Sequence, residues 1–400
     1  MGSLIQTPST QTAVVTTAEG RHQVAHGRRV PSCGPRSVLV RIKAVALNAT
    51  DHKMPARVKR EGLTSGCDFA GEVVAVGEQA NDEPRRCELP RSWAPGDRVF
   101  GVVYGSNPGQ PEWGAFAEYV EADPIMLCHV PDGWDWETAA SVGGSVHGSV
   151  ALCLFGDGNL ALDYSNLKAQ ADSSSADAVT NQSPKPESFT KEELRKVVLV
   201  YGGSTACGTM ALQLLRLAGY TPITTCSPRN FGLVESYGAV AAFDYHSETC
   251  ATEMKTYTRS SLVAALDCLG NTQSAALCYA ALGRAGGRYV ALEKYPDSVS
   301  ATRKLVKPSW VMGPVMFGRE LQLADGYSQP ADLAARAFAC DWYPLAERLV
   351  HQERLRAHPV TIAGPSPPVG DKWADAILCG LQELRDGSVS ASKLVVPVAA

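Results

Sequence analysis

An apolar run, Val197-Val198-Leu199-Val200-Tyr201, stops at Gly202-Gly203-Ser204-Thr205-Ala206-Cys207-Gly208, and a helical pattern follows from Thr209 to Ala218. A strand that ends in small residues and opens a helix lets backbone N–H groups come close to a pyrophosphate at the positive end of that helix. The loop departs from the Gly-x-Gly-x-x-Gly spacing, since Thr205 stands where many such loops have glycine. Strand–helix alternation behind it supports the dinucleotide reading. The next strand candidate ends at Cys226-Ser227-Pro228-Arg229-Asn230, where an NAD enzyme places an acid for the ribose hydroxyl. Ser227, Arg229 and Asn230 instead offer a hydroxyl, a guanidinium and an amide, which suit a 2′-phosphate and predict NADPH. Ser227 before Pro228 also fits a helix N-cap, and the two roles are compatible.

These residues need a frame. From Lys196 onward, strand candidates at Val197 to Tyr201, Pro222 to Cys226, Ala241 to Asp244, Val263 to Asp267 and Arg288 to Leu292 alternate with helical patterns, which predicts an α/β fold with a doubly wound parallel sheet. Earlier, Val38 to Ile42, Gly71 to Gly77 and Gly96 to Gly101 are short β-type runs with Gly and Pro punctuation, the texture of a small β-barrel. A helical pattern covers Trp136 to Phe155, and the chain closes with a helix near Lys372 to Arg385 and a strand from Lys393 to Val398. The expected division is a barrel domain over 1–156, a polar surface segment over 157–195, a nucleotide domain over 196–340 and a return to the barrel over 341–400. The polar segment includes Ser173-Ser174-Ser175-Ala176-Asp177 and Pro184-Lys185-Pro186, too hydrophilic to bury a face.

Composition narrows the function classes. With 45% apolar and 20% charged side chains the chain is an ordinary globular one. A net charge of −4, without a run of Lys or Arg, leaves nothing to neutralise nucleic acid. No stretch is expected to span a membrane, and the polar opening is unlike a secretory leader. Twelve cysteines, none in a Cys-x-x-Cys pair, are expected to be reduced core residues of a cytosolic protein.

Longer strings carry a resemblance. Leu47-Asn48-Ala49-Thr50-Asp51-His52-Lys53, Val200 to Gly208, Cys226 to Asn230, Phe243-Asp244-Tyr245, Ala265-Leu266-Asp267-Cys268, Gly283-Arg284-Ala285-Gly286-Gly287 and Gly313-Pro314-Val315-Met316-Phe317-Gly318 resemble the trans-acting enoyl reductases of fungal polyketide pathways, in the medium-chain dehydrogenase/reductase superfamily. The likeness runs from about Val38 to the C-terminus. It implies a GroES-like β-barrel substrate domain beside a Rossmann sheet. It also implies a monomeric, NADPH-dependent reductase acting on chains that an acyl carrier protein of a polyketide synthase, or of a synthase–peptide synthetase hybrid, presents to it. By motif match the resemblance puts nucleotide contacts on Thr50-Asp51-His52-Lys53, Ser204-Thr205-Ala206-Cys207, Ser227-Pro228-Arg229-Asn230, Tyr245, Leu292-Glu293 and Val389-Ser390. It puts substrate contacts on Gly143-Gly144-Ser145-Val146-His147-Gly148-Ser149-Val150 and Gly313-Pro314-Val315-Met316-Phe317.

Alcohol dehydrogenases of the superfamily hold a catalytic zinc with Cys, His and a carboxylate. Here Asn48 stands at the position resembling the first ligand, Gly66-Cys67-Asp68 replaces Gly-His-Glu, and residues 96–127 contain no cysteine for a structural zinc. No metal is therefore expected. Without a Lewis acid, hydride transfer to a carbon–carbon double bond remains open, because the thioester carbonyl is the electron sink. The protein must position the chain and stabilise the enolate oxygen before the α-carbon takes a proton. Lys53 is the catalytic candidate for that charge, by its place in the motif. Trp93, Trp113, Trp310 and Phe317 fit core packing better than an acyl channel. Two other readings are a quinone or alkenal reductase of the same superfamily and a nucleotide-binding scaffold without turnover.

Overall fold

The structure, a computed structural model, describes residues 7–82, 88–172, 190–364 and 372–398. Chain contacts divide it into a barrel unit, Met1–Gly148 with Gly313–His351 and Ala357–Ala400, and a nucleotide unit, Ser149–Met312 with Gln352–Arg356. In chain order the first elements are β1 (Thr10–Thr16), β2 (His22–Arg29), β3 (Val38–Ala46), α1 (Ala49–Val58), β4 (Asp68–Val76), β5 (Arg98–Val102), β6 (Tyr119–Ala122), β7 (Leu127–His129), α2 (Trp136–Ser141) and α3 (Gly144–Phe155). Then come α4 (Ser165–Asp172), α5 (Lys191–Arg195), β8 (Val197–Tyr201), α6 (Ala206–Leu217), β9 (Thr221–Thr225), α7 (Phe231–Ser236), β10 (Ala241–Phe243), α8 (Cys250–Tyr257), β11 (Ala264–Asp267), α9 (Thr272–Ala281), β12 (Gly287–Ala291), α10 (Asp297–Ser300) and β13 (Val306–Trp310). The chain closes with α11 (Leu333–His351), β14 (Val360–Ile362), α12 (Lys372–Asp386) and β15 (Lys393–Pro397).

In the barrel unit the main sheet runs β14-β15-β3-β4-β5-β7, with β6 also on β3, and β1–β2 form a separate pair. Val38, Val40, Ile42, Phe69, Val73, Val99 and Phe116 fill its core, each removed from water. Burial of side chains this large stabilises by about 1.5–3 kcal/mol apiece before entropy is counted. From α12, Trp373, Ile377 and Leu381 recur every four residues and add one helical stripe to the same core.

In the nucleotide unit all six strands are parallel, in the order β10-β9-β8-β11-β12-β13. Every residue of β8 is buried, as a strand covered on both faces requires. The sequence pattern passes over β13 because Val306-Lys307-Pro308-Ser309-Trp310 has a proline within it. At the sheet edge the N–H that proline lacks is not needed on both sides.

Three sequence expectations meet a different geometry. The contacts put the unit boundaries at 148/149, within α3, and at 312/313, ahead of the Gly313–Phe317 turn that packs with α11, where the sequence suggests 156 and 340. The polar segment over 157–195 carries α4 and α5 at its ends, while Ser173–Asp177 and Pro184–Pro186 lie outside the described residues. Trp136–Phe155 does have the length and hydropathy of a membrane span. It is broken at Val142 and Gly143 into α2 and α3, and most of it is buried in the protein.

Candidate active site

In the nucleotide unit the Gly-rich loop is tied to the next strand. Gly202 and Gly203 donate their N–H groups to Thr225 O at 3.2 and 3.1 Å. Thr205, the residue that breaks the glycine pattern, is the N-cap of α6: its Oγ1 accepts from the Gly208 N–H at 3.0 Å and donates to Gly202 O at 2.8 Å. The loop thus gives up one glycine for a built-in cap. A Cβ at Gly208 would stand 2.3 Å from Gly202 O and 2.6 Å from Gly203 Cα, so the turn closes only on a bare backbone. Ser204, Thr205, Ala206 and Cys207 are half-buried at the positive end of a 12-residue helix, a cradle that fits the pyrophosphate of a dinucleotide.

At the end of β9, Ser227 precedes a 3-10 turn over Pro228–Asn230 and makes no side-chain cap bond, so its hydroxyl is not spent there. Arg229 is exposed and Asn230 buried. Asp267, the acid closing β11, is fully engaged: it accepts from the N–H groups of Leu269 and Gly270 at 2.9 Å, from Ser274 Oγ at 2.6 Å and from Tyr289 Oη at 2.8 Å. Its role is to brace that strand end. Tyr245 is half-buried, with its ring 6.0 Å from that of Tyr201. Leu292 is fixed by its N–H on Asp267 O at 3.0 Å, and Glu293 accepts from the Lys294 N–H at 3.0 Å.

In the barrel unit a closed polar cluster sits where β15, β3 and β4 end together. Across the strands Val395 pairs with Ala46 and Ala46 with Asp68, which brings Lys393, Asn48 and Asp68 to one end of the sheet. Asp68 has no exposure. Its Oδ1 accepts from the Ser145 N–H at 2.9 Å, and its Oδ2 accepts from Asn48 Nδ2 at 2.9 Å and lies 3.7 Å from Lys393 Nζ. Lys393 also donates to Asn48 Oδ1. Burial pushes the Asp68 carboxyl up, opposed by Lys393, Ser145 and Asn48. A Cβ at Gly143 would stand 2.5 Å from the Asp68 carboxyl carbon, so the start of α3 can reach the carboxylate only through glycine.

Asp51 lies beside this group. Its Oδ2 accepts from the Asn48 N–H at 2.8 Å, whereas its buried Oδ1 has no partner among the described residues. Burial pushes it up to about 7, with Asp68 adding to the rise. Burial also pushes the Cys67 thiol well up, reinforced by Asp51 and Asp68. Thr50, His52 and Lys53 are half-buried on α1.

Of the expected substrate residues, Ser145 is half-buried, while Gly143, Gly144, Val146, His147, Gly148, Ser149 and Val150 are buried. His147 Nδ1 accepts from Trp342 Nε1 at 3.0 Å, and its ring meets Tyr343 edge-on at 4.9 Å. Burial, reinforced by Arg91, pushes it down to about 3, so the ring is neutral. Gly313 and Pro314 are half-exposed, and Val315, Met316 and Phe317 are buried. Trp93, Trp113 and Phe317 are buried and Trp310 packs on the nucleotide core.

The expected residues fall on both units. Thr50 to Lys53, Gly143 to Gly148, Gly313 to Phe317, Val389 and Ser390 belong to the barrel unit, and the others to the nucleotide unit. Val389 packs on the barrel core and Ser390 is exposed. Lys393 carries no local signal in the sequence, since a lysine opening a strand looks like a surface residue.

Residues 34–132 match the family model described as the alcohol dehydrogenase GroES-like domain. The trans-enoyl reductase mpsG of Macrophomina phaseolina is 40% identical over 388 residues, 97% of this chain and 98% of that protein. The trans-enoyl reductase mycC of Thermothelomyces thermophilus is 40% identical over 391 residues, 98% of each chain. Among solved structures, the quinone oxidoreductase from Coxiella burnetii superposes with a TM-score of 0.62 at 19% identity, covering 98% of this chain and 100% of that one, a likeness of fold. The chain belongs to the trans-enoyl reductases, a family of the medium-chain dehydrogenase/reductase superfamily.

Proposed function

We propose that the protein uses NADPH to reduce the α,β double bond of acyl thioesters, presented on an acyl carrier protein by a polyketide synthase or a synthase–peptide synthetase hybrid. The observation that carries this reading is the 40% identity to trans-enoyl reductases along nearly the whole chain. When bound, the nicotinamide supplies hydride to the β-carbon. The chain's own part is to hold the cofactor phosphates and to favour negative charge on the thioester oxygen. The first task falls to the α6 N-terminus, and the choice of NADPH to Ser227 and Arg229. The second falls to Lys53, half-buried on α1.

Metal independence belongs to the same reading. Asn48 offers an amide instead of a thiolate, and the Lys393 ammonium already stands 3.7 Å from Asp68, so a second cation there would meet like charge. A cytosolic setting suits the eleven free cysteines of the described residues. A monomer suits β13, whose Pro308 removes a pairing N–H from the sheet edge while exposed Lys307 adds charge.

The test is NADPH oxidation with an α,β-unsaturated acyl pantetheine thioester, with a quinone, and with neither, each with and without chelator. Oxidation that depends on the thioester and ignores the chelator is expected. Turnover with the quinone alone would move the assignment to a quinone reductase.

A further inference from the structure

The Lys393–Asp68–Asn48 cluster touches both barrel-unit helices that carry expected site residues. Asp68 accepts the Ser145 N–H in the first turn of α3 at 2.9 Å, so a carboxylate caps the positive end of a 12-residue helix from a distant strand. Asn48 is the N-cap residue of α1. Its side chain bonds Asp68, at 2.9 Å, and Lys393. One buried ammonium therefore fixes the starts of two helices through two polar intermediates. The pair has little water to compete with it: the side-chain exposures are 6% for Lys393 and 0% for Asp68.

His358 is pushed down to about 4 by burial, with Lys393 adding to the drop, and the Asp51 carboxyl is raised by burial. The Lys393–Asp68 pair sets one cation against one anion, an arrangement that survives burial only with hydrogen bonds to its polar atoms. A buried network of this kind is costly to build and adds little stability over apolar packing. Its gain is in fixing geometry.

We propose that Lys393 is a positioning residue for the reductase reaction: through Asp68 and Asn48 it fixes the start of α3 and the N-cap of α1, and so the placement of Ser145 and of Lys53. The inference rests on the proposed enoyl reduction for its kinetic consequence and on the hydrogen bonds alone for its structural one.

The experiment compares the full-length protein with Lys393→Met, Lys393→Arg and the charge-neutral double variant Lys393→Met/Asp68→Asn. Melting temperature, NADPH affinity, kcat and KM for an unsaturated acyl pantetheine, and amide exchange of peptides covering Gly143–Gly148 and Ala49–Val58 are measured. For Lys393→Met, kcat at saturating NADPH is expected to fall by roughly 10- to 100-fold, and exchange in both peptides to accelerate. Lys393→Arg should recover part of kcat. The double variant should recover the melting temperature without recovering kcat, and it carries the test if Lys393→Met does not fold. Wild-type kcat in Lys393→Met, or kcat returning with the melting temperature in the double variant, would overturn the proposal and leave the lysine a purely structural residue. If the wild type itself fails to reduce the thioester, the functional reading fails separately. Amide exchange then decides: unchanged exchange in both peptides overturns the positioning role, and accelerated exchange upholds it.

Discussion

The cofactor loop of the nucleotide unit and the polar cluster of the barrel unit are built from different materials. The loop is made by neighbours in sequence, Gly202 to Gly208, and its shape depends on backbone: two glycine N–H groups on Thr225 O, and a glycine where no Cβ fits. The cluster is made by side chains far apart in sequence, with Lys393 and Asn48 separated by 345 positions. Only the pairing of β15 with β3 and of β3 with β4 brings them together. A backbone site tolerates exchange of most side chains but no added bulk. A side-chain site tolerates no change of charge.

That contrast orders the expected effects of mutation. Gly208→Val should be the most damaging, since its side chain would enter the space of Gly202 O and Gly203 Cα; NADPH affinity by fluorescence titration should drop by about 100-fold or more. A milder loss would show that the loop can open without losing its ligand. Next, Lys53→Met should lower kcat by roughly 10- to 1,000-fold while leaving the fold intact, the range for removing one electrostatic contact. Loss that disappears at high NADPH would reassign Lys53 from the oxyanion to the cofactor. Smaller again, Arg229→Ala should weaken NADPH by about tenfold, or ~1.4 kcal/mol, and leave NADH unchanged by calorimetry.

How much of this was legible in the sequence follows the same line. The strand–Gly loop–helix unit could be read because all its parts lie in one window, and Thr205, which breaks the glycine spacing, turns out to be a cap. Strand β13 and the lysine of the cluster were not legible. Pro308 hides an edge strand, and the burial of Lys393 depends on partners supplied by β4 and by the N-cap of α1. The Gly143 to Val150 segment was found by its resemblance, but its nearly complete burial was not foreseen, because the neighbours that enclose His147, Trp342 and Tyr343, come from α11.

A second side-chain cluster in the barrel unit carries the smallest expected effect. His129 bridges Glu347 at 3.2 Å and Asp97 at 3.6 Å, and Arg91 reaches Glu347 at 3.3 Å. Burial alone would lower His129, but Glu347 and Asp97 outweigh it and hold the ring above its ordinary 6.5. Burial would raise Glu347, but His129 and Arg91 outweigh it and hold the carboxyl below its ordinary 4.5. The stabilisation is therefore full above 4.5 and below 6.5; it is lost as pH falls through the folded value of Glu347 or rises through that of His129. His129→Gln should cost about 1 kcal/mol in that window and less on either side, read from melting temperatures across pH.

The most direct test of the account follows the hydride. Wild-type protein is given NADPH carrying deuterium at the transferable position of the nicotinamide and an α,β-unsaturated acyl pantetheine, and the product is analysed by mass spectrometry. The account predicts a saturated thioester with one deuterium on the β-carbon. Recovery of unreduced thioester, or deuterium on the carbonyl carbon instead, would contradict it.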